Sequence, residues 1–139
     1  MLKISALALA LFILVACGNA PSPISAPSGA RFAPVSNSGG SVTVDAQLLD
    51  FQINQPLVFD VTMNTHSVEL VDDLTRSAIL RDDAGKEYAP IAWEGAGPGG
   101  HHREGKLKFA AFKTKHKFVE LVVKNMAQVS ERAFRWELK

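Results

Sequence analysis

Three histidines and an arginine are the side chains of this sequence best suited to chemistry. His66 lies in Asn64-Thr65-His66-Ser67, and His101-His102-Arg103 closes the glycine-rich run WEGAGPGGHHREG at 93–105. An imidazole binds a divalent ion through either ring nitrogen, so His66 with one or both of the paired histidines offers two or three ligands. Three nitrogen ligands suit copper or zinc. Asp72 and Asp73 offer oxygen, but acidic pairs in short loops are usually turn or solvent residues. Met63 offers a thioether, but it shares a face with Leu57, Phe59 and Val61 and reads as core. Two other readings stay open for the histidines. They form a structural latch, His66 bonding the glycine-rich loop and His101 or His102 packing on Trp93, or they recognise some other ligand or partner. Arg103 would orient the loop or neutralise a carboxylate such as Glu94. His116, in the basic turn KTKHK, reads as solvated.

Catalysis has little to stand on. Thr65 and Ser67 flank His66, but neighbours on a strand point to opposite faces, so a nucleophile and base adjacent in sequence are badly placed. The glycine-rich run lacks the GK[ST] ending of a phosphate loop. No enzyme activity is expected.

The elements that must position these residues are strands. Val42 and Val44 alternate with polar residues, as do Leu57, Phe59, Val61 and Met63, then Leu107 and Phe109, then Val119, Leu121 and Val123, then Phe134, Trp136 and Leu138. Period-two alternation marks half-buried strands. Residues 77–81 run into Asp82-Asp83-Ala84-Gly85, a turn signal, and residues 87–93 read as the returning arm of a hairpin. With seven to nine short strands and no helical crossover, the expected fold is an all-β antiparallel sandwich of immunoglobulin-like type, with a β-barrel as the alternative. Residues 125–131 could add one helical turn.

The remaining chain is organised around Cys17, the single cysteine. Lys3 precedes an apolar stretch over residues 4–14, and Leu14-Val15-Ala16-Cys17 follows. A basic start, a short apolar core and small residues at the cut make an export signal. The last four residues resemble the bacterial lipobox. That resemblance implies cleavage between Ala16 and Cys17, removal of residues 1–16, and a lipid on the cysteine, a diacylglycerol with a further acyl chain such as palmitate. Two or more chains hold stably where one does not. The product would be a membrane-anchored lipoprotein on the extracytoplasmic face, in the cell membrane or in an outer membrane if there is one. Its lipidation would remove the only thiol from any other role.

Residues 17–40, rich in Gly, Ala, Pro and Ser, read as a flexible tether, and residues 41–139 as one domain. The 15 Lys and Arg, less Lys3, equal the 14 Asp and Glu. That neutral balance gives no footprint for nucleic acid. The expected partners are the membrane and an envelope protein.

The domain also resembles a group of uncharacterised exported prokaryotic proteins, often lipoproteins. They share a THS segment, a run LRDD-x-G-x-x-Y-x-P-x-x-WEG, and GGHHR-x-G-x-L-x-F. Here these are Thr65-His66-Ser67, then Leu80 through Asp83, Gly85, Tyr88, Pro90 and Trp93-Glu94-Gly95, then Gly99 to Phe109. The likeness implies an exported β-rich domain and carries no activity with it.

Overall fold

The computed structural model describes residues 32–138. Ala16, Cys17 and the signal segment lie outside the described residues, as does most of the expected tether. Nine strands make up nearly all of the described fold: β1 (Val35–Gly39), β2 (Val42–Leu48), β3 (Leu57–Thr65), β4 (Ala78–Asp82), β5 (Glu87–Tyr88), β6 (Ala92–Gly95), β7 (His102–Phe109), β8 (Phe118–Met126) and β9 (Val129–Glu137). One helical turn, α1 (Leu74–Ser77), precedes β4.

Two antiparallel sheets carry the strands in the orders β1-β2-β3-β7-β6 and β5-β4-β8-β9. Without β1 and β5, these orders are those of the two sheets of an immunoglobulin-type sandwich, four strands facing three. The expected sandwich is therefore present. Alternation puts Val42, Val44, Leu57, Phe59, Val61, Met63, Leu107 and Phe109 of the first sheet against Leu80, Val119, Leu121, Val123, Phe134 and Trp136 of the second, all of them buried. Phe59 sits at the centre, edge-on to Phe109 at 5.6 Å and beside Trp136 at 5.4 Å.

Four local expectations are corrected. Residues 35–39, assigned to the tether, form the edge strand β1, and the domain begins by Phe32, whose carbonyl accepts from Gln47 Nε2 at 2.7 Å. Composition hid this strand because Ser36, Asn37 and Ser38 show no apolar alternation, and the strand is held by its backbone ladder and by polar contacts. Gly40 and Ser41, at φ of 53° and 62°, make the two-residue turn into β2. The arm expected over 87–93 is split. Only Glu87 and Tyr88 pair with β4, and after Pro90 the chain crosses to the other sheet as β6. Proline has no N–H to continue the ladder. The helical turn expected at 125–131 is instead the tight β8–β9 connection, with Ala127 and Gln128 at φ of 48° and 63°, and the single helical turn lies at Leu74–Ser77. Finally, the run 93–105 is not one loop, since β6 and β7 occupy its ends and only 96–101 connect them.

The registers define two ends. At one end lie Phe32, the 49–56 and 110–117 connections, the 83–86 turn and Leu138. Leu57 pairs with Phe109 there, Phe118 with Glu137, and Asn54 N bonds Phe112 O. At the other end lie Gly40, Thr65, His101 and the 127–128 turn, because Val42 pairs with Thr65 and Met126 with Val129.

Candidate functional site

Thr65 ends β3 with a buried hydroxyl that donates to Ser41 O at 2.8 Å and accepts from Ser67 N and Val68 N. A hydroxyl so engaged closes a turn and is a poor nucleophile. His66 and Ser67 follow it and are exposed. Across the ladder, Thr65 N bonds His101 O and Asn64 pairs with His102, so the two histidine segments lie side by side.

The imidazoles themselves do not gather. His101 and His102 are both exposed. His102 Nδ1 is bonded to Asn64 Oδ1, and its Nε2 lies 3.6 Å from Glu104 Oε2. Among the described residues, the only three potential metal-ligating side chains whose ligand atoms come within 4.8 Å of one another are Asp82, Asp83 and His116. His66, His101 and His102 form no such group.

Arg103 is where the architecture concentrates. It faces inward beside Met63 and is only 1% exposed. Its Nη1 donates to Leu70 O at 3.0 Å and Asp72 O at 2.7 Å, and its Nε and Nη2 reach Ala96 O at 3.4 and 3.3 Å. Burial draws the guanidinium below its ordinary range, with Asp72 and Asp73 partly opposing. It still carries its charge. Arg103 thus orients the loop, as the sequence suggested, but by clasping carbonyls. Glu94 is not its partner, since that carboxylate pairs with Lys108 Nζ at 2.7 Å.

Trp93 completes the clasp. Its Nε1 donates to the same Ala96 O at 2.9 Å, and the Arg103 guanidinium lies 5.9 Å from its ring. The indole fills the space above Gly95 and Gly105, where an added Cβ would come within 2.8 Å of Trp93 Cζ2. A latch exists here, made by Arg103 on Trp93, where one of the open readings placed a histidine. Gly99 and Gly100, at φ of 117° and 75°, bend the loop so that Gly99 N and Gly100 O bond Leu70. Asp73 caps α1 by accepting from Thr75, whose side-chain and backbone bonds hold its carboxyl below the usual range. Met63 is core, as read.

His116 is not simply solvated. It stacks on Phe112 at 4.3 Å and bonds Asp83 Oδ1 at 2.8 Å through Nδ1. Asp82, read only as a turn residue, is buried, and its carboxylate accepts from Ala84 N, Lys86 N and the Tyr88 hydroxyl. Burial pushes its pKa up, but the three donors together hold it below the usual range. The bond from His116, then that from Lys117 N, lowers Asp83 as well. Asp82, Asp83, Ala84 and Gly85 were visible as a turn signal. The depth of Asp82 had no signal in the sequence.

Arg132 was missed altogether. Fully buried, it donates to Asn37 O, Asn37 Oδ1, Val42 O and Gly39 O, and so ties β9 to β1. Inward facing at the end of an alternating strand was the only clue. Compared with family models, curated proteins and solved structures, the chain has no match.

Proposed function

We propose that the protein is a non-enzymatic, membrane-tethered lipoprotein on the extracytoplasmic face, whose sandwich presents the end bearing His66, His101 and His102 to an envelope component. One contrast supports this reading. Thr65, Trp93, Gly95, Arg103 and Gly105 are consumed by the architecture, while the three imidazoles stand exposed at the end they stiffen. A rigid scaffold carrying exposed polar groups is the arrangement of a recognition surface.

A copper or zinc site on the same histidines is the second reading. It draws on the adjacency of Asn64-Thr65 with His101-His102, which sets the two histidine-bearing segments side by side in the backbone.

One pair of measurements separates them. A photo-crosslinking residue in place of His101 is expected to give a discrete adduct in living cells, and the same residue in place of Lys106 none. Titration with Cu(II) and Zn(II) is expected to give no stoichiometric binding below the millimolar range. Micromolar binding lost in His66→Ala and His102→Ala would establish the metal reading instead. Failure to obtain an adduct, without metal binding, removes both.

A further inference from the structure

The end of the sandwich opposite the histidines carries a concentration of unpaired positive charge. Lys113, Lys115 and Lys117 are exposed on the connection between β7 and β8, and Lys86 is exposed on the β4–β5 turn. Among the described residues, none of these four ammonium groups has a carboxylate oxygen within 4.0 Å, whereas those of Lys106, Lys108 and Lys124 are each ion-paired. The carboxylates nearest this end stay ionised but take their hydrogen bonds from other groups, none from these ammonium groups. Asp83 takes His116 and Lys117 N, Asp82 is buried with three donors, and Asp50 accepts from Phe51 N and Gln52. Tyr88 holds Lys86 by its ring face at 4.9 Å.

The loop that bears the charge is built. Phe112 is buried between Phe51, Tyr88 and His116, with ring centres at 6.2, 5.2 and 4.3 Å. The backbone is fixed on either side, Asn54 N bonding Phe112 O and Leu138 N bonding Lys117 O. The lysines therefore project from an anchored platform. Ile91, 61% exposed, lies toward the same end, next to the top of β6 where its N bonds Lys108 O.

Position supplies the partner. The described chain begins at this end, with Phe32 O bonded to Gln47 and Ala33 O to Trp136. Cys17 is only about fifteen residues before Phe32, a reach of roughly 50 Å at most at about 3.5 Å per residue. We infer that the face formed by Lys86, Lys113, Lys115 and Lys117 docks on an anionic lipid surface, that of the membrane holding the anchor. The inference rests on the tethered reading above. Lysines beside a negatively charged bilayer each raise partitioning roughly fivefold at moderate salt, and the gain fades over about a Debye length. Docking at this face points the histidine end outward.

The test uses the chain from residue 17 with Cys17→Ser, so that any membrane binding is the domain's own. It is sedimented with vesicles of phosphatidylglycerol and phosphatidylcholine, or of phosphatidylcholine alone, at low and at 0.5 M salt. Binding is expected to the anionic vesicles only, to be released by salt, and to fall on the order of 100-fold in Lys113→Gln/Lys115→Gln/Lys117→Gln. Lys106→Gln/Lys108→Gln/Lys124→Gln removes equal charge from ion-paired sites and is expected to bind like the parent. Equal loss in both triple variants, equal binding to both vesicles, or no loss in the first variant overturns the inference. The anchor is read separately, by lipid labelling of wild type against Cys17→Ser, so its failure and that of the basic face are distinguishable.

Discussion

Arg103 shows how a charged residue can be structural without an ionic partner. Its guanidinium spreads over three carbonyls from two segments, sharing Leu70 O with Gly99 N and Ala96 O with the Trp93 indole and serving Asp72 O itself. Arg103→Met should strip Asp72 O of its donor and leave Leu70 O and Ala96 O with one donor each, at about 2 kcal/mol in urea unfolding. Arg103→Lys should recover only part, because a single ammonium cannot reproduce the planar fork. Asp82 makes the corresponding case for an acid. Its folded pKa is depressed, and so is that of Asp83, so the stability they contribute is present above the unfolded value of about 3.9 and is lost as pH falls through the folded values. The urea midpoint should therefore drop steeply below about pH 4. Asp82→Asn should lower the midpoint at pH 7 and flatten the acid limb; an unchanged limb would refute the assignment. Arg103 was legible as a residue that orients the loop, but its burial and its carbonyl partners were not. Asp82 was not legible, because an aspartate before Asp-Ala-Gly looks like an ordinary turn.

At the scale of elements, legibility followed burial. β3 could be read because one of its faces is apolar from Leu57 to Met63, and a one-residue shift would turn Phe59 and Met63 to solvent. β1 could not, since Ser36, Asn37 and Ser38 carry no such pattern and the strand is held by Arg132 from the far sheet. The β6–β7 pair lies between these cases. Its glycines were read as part of one glycine-rich loop, whereas Gly95 and Gly105 face each other across a ladder to make room for Trp93. A methyl on Gly105 would come within 2.6 Å of Gly95 Cα and 2.7 Å of Glu94 O, so Gly105→Ala should cost about 1–3 kcal/mol in chemical denaturation. Gly97→Ala meets nothing within 4 Å and should stay within about 0.5 kcal/mol of wild type.

For the whole molecule, the antiparallel sandwich and its number of strands were accessible from alternation and turn spacing, while the relation between its ends was not. That relation depends on which strands pair, and pairing is set by contacts distant in sequence, such as Trp136 to Ala33 and Arg132 to Gly39. The same contacts bear on mechanics. β1 runs from the end where the described chain begins to the opposite end, alongside β2. If the lipid holds one end while a partner grips the other, tension enters along the axis of β1. All five rungs of its ladder to β2 are then strained together in shear, with no single rung peeled first, and Arg132 and Trp136 act as cross-ties to the second sheet. Under that loading the first strand would be the mechanical splice between the chain before Phe32 and the rest of the domain.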